Sequence, residues 1–258
     1  MLLKTLINPK PKIIVYFVVF SVIFLCLPLI RNNSLDINNH LGYSPWLFYI
    51  LSIIIVPLHA FGLNNLIYKN NIVKKENLII ATVFILLNTF NIDVVTNLIS
   101  SFLMLFFINY LFESYQKEYP FNEIFCASLI LAIIVFLNPI MLVMYLLVLT
   151  SSLVFNYINW RSLVISILGF CIPYILCLFY LFIMTNELDI TSIISLPEFA
   201  YNEQVLLAIA KEKIFSFSFL ILILITFFEF FSWLYKKSIR SRKSFFIILI
   251  YFLIALII

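Results

Sequence analysis

Val135-Phe136-Leu137-Asn138-Pro139-Ile140-Met141 interrupts the middle of an apolar run that covers residues 124–156. Proline has no backbone N–H to donate and asparagine favours turns, so the chain is expected to reverse there. A single kinked helix would far exceed the roughly 20 residues that cross a bilayer, which leaves a hairpin of two short spans or a re-entrant hairpin. A second long run, residues 77–113, is broken in the same manner by Asn88-Thr89-Phe90-Asn91-Ile92-Asp93.

The rest of the chain reads alike. Of its 258 residues 64% are hydrophobic and 11% charged, and only three are glycine, a composition that suits lipid rather than water as solvent. Hydropathy and breakers place spans near 13–30, 46–66, 77–91, 95–113, 124–137, 139–156, 162–184, 214–235 and 244–258. The sequence therefore predicts a single all-α domain over residues 1–258, a polytopic transmembrane bundle of about nine spans. The last run is short for a span, so the natural chain is expected to continue or the helix to stop before the outer surface.

Orientation follows from charge, because short cytoplasmic links hold the excess of Lys and Arg. With the N-terminus inside, all of the 16 basic residues except Arg31, Lys211 and Lys213 fall in inner links, Lys69, Lys117, Arg161, Arg240 and Lys243 among them. The outer side collects Asp36, Asp93, Glu187, Asp189, Glu198, Glu203 and Glu212. The net charge of +4 is thus spread through inner links, and nucleic-acid binding is not expected. In the outer segment 185–213, Ser195-Leu196-Pro197-Glu198 reads as a helix start. Phe199, Leu206, Ile209 and Ala210 then recur opposite Glu198, Glu203, Lys211 and Glu212, as in a helix lying in the outer interface.

Cys26, Cys126, Cys171 and Cys177 lie inside apolar runs, so neither disulfides nor a metal site is expected, and no cofactor motif occurs. The stretch Ile23-Phe24-Leu25-Cys26-Leu27 offers no cleavage or lipoprotein signal, and the first span is expected to stay attached.

Ionisable groups at membrane depth are the first candidates for function. Glu229, in Phe227-Phe228-Glu229-Phe230-Phe231, is a proton or partner site, or else a carboxylate that reaches the inner interface. His59, in Pro57-Leu58-His59-Ala60, stands alone and reads as a hydrogen-bonded packing residue. Asp93 caps its outer hairpin. In the polar segment from Arg31 to His40, Asp36 could serve as a general base with Arg31 or His40 holding a phosphate, or the segment is a solvated loop. A glycine-rich phosphate loop, a nucleophile elbow and a His-Glu-x-x-His motif are all missing from the sequence.

Phe121-Asn122-Glu123-Ile124-Phe125-Cys126-Ala127-Ser128-Leu129, then Asn159-Trp160-Arg161 with Gly169-Phe170 and Pro173-Tyr174, and Asn8-Pro9-Lys10-Pro11 before the first span, resemble a family of multi-span inner-membrane proteins of Bacteroidota. The likeness runs to about residue 185. It implies a bacterial inner-membrane location and no activity. The carotenoid-cleaving oxygenase activity ascribed to some of that family needs a multi-histidine iron site, which His40 and His59 are too few to build.

More distantly, the layout resembles membrane glycosyltransferases of the GT-C class, which follow span one with a polar outer loop and then short hairpin spans. That resemblance implies a polyprenyl-phosphate sugar donor in the outer leaflet, with Asp36 as base, Asp93 converging on the same catalytic groove, and Arg31 or His40 near the phosphate. Asp36 is followed by Ile37 and Asn38 rather than a second acid, a departure that fits an inactive relative. The reading favoured by the residues is a non-enzymatic accessory or structural subunit of a cell-envelope membrane complex, whose partners are lipid and other membrane subunits. A transporter comes third, because matched repeats are missing and glycine is scarce.

Overall fold

Proline sets several helix starts, since its missing N–H is not needed in the first turn and its fixed φ suits a helix. In the computed structural model, which describes residues 9, 11–31, 45–70, 77–88, 95–185, 221, 228 and 238–257, α1 (Pro11–Arg31) and α2 (Pro45–Lys69) both open on proline. Next come α3 (Ile79–Asn88), α4 (Val95–Glu113) and α5 (Phe121–Leu137), the last directly after Pro120. Pro139 opens a 3-10 turn (Pro139–Met144) that leads into α6 (Tyr145–Phe155), followed by α7 (Trp160–Thr185) and α8 (Ile239–Ile257). The described residues contain no strand.

Cross-helix contacts fix the directions. Asn138 Nδ2 donates to Asn97 Oδ1 at 3.4 Å, so the far end of α5 lies beside the start of α4. The hydroxyl of Tyr157, just past α6, lies 3.1 Å from that of Ser114, just past α4, so the chain between them goes out and returns. The reversal expected at Asn138-Pro139 is therefore present. Lys69 Nζ sits 2.6 Å from Glu113 Oε1, which makes α2 parallel to α4, and Phe17 meets Phe61 edge to face at 5.4 Å, which sets α1 against α2. One end of the bundle thus gathers Lys69, Lys117, Arg161, Arg240 and Lys243. Exposed Tyr119 and Trp160 ring the same end, as interfacial aromatics do.

Packing skips a neighbour in sequence: α5 rests chiefly on α4 and α7, while α6 rests on α8. Gly169 makes the α5–α7 approach possible, because a Cβ there would lie 2.7 Å from the Phe125 carbonyl oxygen and 3.2 Å from Ser128 Cβ. Pro173 follows four residues on and leaves the Gly169 carbonyl without its helical donor. Two apolar cores result, one around Phe107, Phe112, Leu131 and Leu147, the other around Leu25, Val56, Ala60 and Ala81. Several buried serines return their hydroxyls to their own helix, as Ser100 does to the Thr96 carbonyl at 2.8 Å and Ser151 to Val148 at 2.9 Å, whereas Ser128 Oγ is buried with no hydrogen-bond partner among the described residues.

Among the described residues, three helices are long and apolar enough to cross a bilayer: Ile50–Lys69, Thr96–Glu113 and Trp160–Met184. Their apolar side chains also cover much of the outer surface; Ile175, Leu176 and Phe179 on α7 are each about three-fifths exposed. A helical membrane protein is the class these features define. About nine full spans are not supported. The ten described residues of α3 reach only about 15 Å, half a hydrocarbon core. The 3-10 turn takes up the first six residues of the run after Asn138, and the N-terminal turns of α8 are charged rather than apolar. Hydropathy counts apolar residues whether they lie in a helix or in its turns, and here the turns consume part of each run. Residues 214–235 and the outer helix expected after Pro197 lie outside the described residues.

Candidate functional site

The described polar groups concentrate at the basic end. Lys69 Nζ holds Glu113 Oε1, and Asn109 Nδ2 donates to the same oxygen at 3.0 Å. Glu123, in the first turn of α5 and mostly buried, takes Lys117 Nζ at 2.5 Å. Tyr157 is seated between Ser114 and Ser151, with a 3.1 Å contact to each hydroxyl. Burial pushes the Tyr157 hydroxyl above its ordinary pKa, and its serine partners draw it partly back. The chain reaches this geometry through two left-handed residues, Gln116 (φ 65°) after α4 and Asn156 (φ 61°) capping α6.

Tyr115 lies beneath two cations from the start of α8. Arg240 Cζ is 5.9 Å and Lys243 Nζ 5.7 Å from its ring centroid, within cation–π range. Neither cation has a carboxylate within ion-pair distance among the described residues, whereas Lys69 and Lys117 each have one.

At mid-depth, His59 is buried against Phe84 at 4.4 Å, and its Nδ1 lies 3.5 Å from Ser101 Oγ. This is the packing role expected of a lone histidine. A groove of about 380 Å³ opens between the 3-10 turn and α7, lined by Leu142, Tyr145, Leu146, Ile167 and Phe170. Tyr145 spends its hydroxyl on Ser166 at 2.8 Å, so the lining leaves little polar chemistry.

Of the residues singled out from the sequence, Asp36, His40, Asp93 and Glu229 lie outside the described residues. Arg31 closes α1, and its side chain is likewise outside them. Where the side chains of these five stand relative to one another thus lies outside the described residues. What sequence reasoning missed is Tyr115, which carries no motif. Its only signal was a position two residues before Lys117 in an inner link. No group of three or more potential metal ligands occurs among the described residues. No family model, curated protein or solved structure matches the chain.

Proposed function

We propose that the chain is a multi-pass protein of a bacterial inner membrane, a relative of the Bacteroidota family it resembles, with its basic end in the cytoplasm. In this reading it serves as a non-enzymatic accessory or structural subunit of a cell-envelope complex. The observation that supports it is a division of labour. At the basic end Lys69 pairs with Glu113, Lys117 with Glu123 and Tyr157 with Ser114 and Ser151, while α1 and α7 turn large apolar side chains outward. Mutual satisfaction locks helix ends together; it leaves few of these groups free to attack a substrate.

Extraction of the tagged protein from its native membrane in mild detergent, followed by identification of what accompanies it, tests the role. A stoichiometric membrane-protein partner is expected. A chain that elutes alone, and that transfers sugar from a polyprenyl-phosphate donor, would replace this reading by the glycosyltransferase one. That alternative rests on Asp36 and Asp93, with Arg31 and His40, and no observation on the described residues favours it.

A further inference from the structure

Three features meet at the start of α8. Arg240 and Lys243 share the face of Tyr115 without a carboxylate partner among the described residues. Between them, Arg242 keeps its Nε buried and without a hydrogen-bond acceptor among the described residues. Lys236 and Lys237 precede them in the sequence. Three cations in four residues repel one another, and an aromatic face compensates only part of that repulsion.

We propose that the start of α8, together with Tyr115, is a docking surface for the phosphate of an acidic phospholipid in the leaflet at the basic end. Charge complementarity argues for this occupant. Among the described residues Glu113 and Glu123 are neutralised by Lys69 and Lys117, and the exposed Glu118 at the same end makes no ion pair with Arg240, Arg242 or Lys243, so the three cations of α8 remain without a carboxylate. Depth argues for it too: exposed Tyr119 and Trp160 mark the same end as interfacial, the level at which lipid phosphates lie. Guanidinium groups donate paired hydrogen bonds to phosphate oxygens, and basic clusters beside membrane helices attract anionic headgroups. The inference rests on the membrane-embedded reading above and adds a headgroup preference to it.

The test is lipid retention. The purified protein is placed in nanodiscs of mixed phosphatidylcholine and phosphatidylglycerol, and the lipids that stay bound after delipidation are counted by mass spectrometry. Wild type should retain phosphatidylglycerol preferentially. Arg240→Gln and Lys243→Gln should each weaken retention roughly fivefold, the loss of one near-surface cation, while Arg240→Lys should keep most of it. Tyr115→Leu should weaken retention without a change of charge. Equal retention of both lipids by wild type, or wild-type retention by both glutamine variants, overturns the proposal. Stabilisation by inorganic phosphate in pure phosphatidylcholine, matching that of phosphatidylglycerol, would instead assign the surface to a soluble phosphate. A prior alkaline-carbonate wash separates the two failures: protein released from the membrane sinks the embedded reading, and protein that stays without lipid preference sinks only the headgroup site.

Discussion

The hydroxyl of Tyr157 lies 3.1 Å from that of Ser114, and this contact joins the end of α6 to the end of α4 across the turn that starts α5. Tyr157→Phe keeps the ring and removes the join. Ser114 and Ser151 retain backbone acceptors, at 2.6 Å on Leu111 and 2.9 Å on Val148. The expected loss is about 1 kcal/mol, read from thermal unfolding in detergent.

The same residue gives a pH dependence. Burial raises the Tyr157 pKa above the ordinary 10.0, so the folded state holds the phenolic proton more tightly than the unfolded chain. Its contribution is complete below pH 10.0 and is lost as pH rises through the higher folded value. Wild type should lose stability in that alkaline window more steeply than Tyr157→Phe. Parallel alkaline melting curves would contradict this.

The two ion pairs should differ. Lys69 and Glu113 are both well exposed, and Lys69→Ala should cost about 0.2–1 kcal/mol and less in high salt. Lys117→Ala leaves Glu123, whose side chain is only 11% exposed, without its cation, and should cost on the order of 1–3 kcal/mol. Equal losses would show that Glu123 finds water as readily as Glu113 does.

Gly169 and Gly62 separate rigid from yielding contacts. An added Cβ at Gly169 meets backbone at 2.7 Å, whereas at Gly62 it meets the Cδ1 tip of Leu105 at the same distance. Gly169→Ala should lower stability by about 1–3 kcal/mol, and Gly62→Ala by less. Comparison of the two melting temperatures decides it.

Passage of α5 across the membrane can be read by labelling. In a background without native cysteines, Asn138→Cys should react with an impermeant thiol reagent from outside, and Lys117→Cys only after permeabilisation. Reaction of both from one side would establish the re-entrant hairpin instead.

The turn at Asn138-Pro139 was legible because proline removes a donor wherever it stands. The gathering of Lys69, Lys117, Arg161, Arg240 and Lys243 at one end was legible because charge avoids lipid regardless of packing. Tyr115 beneath Arg240 and Lys243 was not, since the contact joins links far apart in sequence and depends on where α8 is seated. Nor was the late start of α3, because Asn77-Leu78 looks like span to a hydropathy window and lies before the helix in the fold. Asp36, Asp93, Arg31, His40 and Glu229 were picked out for their chemistry, and the described contacts do not reach their side chains.

Although α5 rests on its predecessor α4, its other face seats on α7 and α6 seats on α8, so α5 and α6 are each completed by the helix two places on. During synthesis the face of α5 around Ser128 waits for Gly169, and α6 waits for a segment made some ninety residues later. The middle of the molecule therefore completes its packing only after α8 has been made, and until then lipid tails cover the faces that α7 and α8 will take.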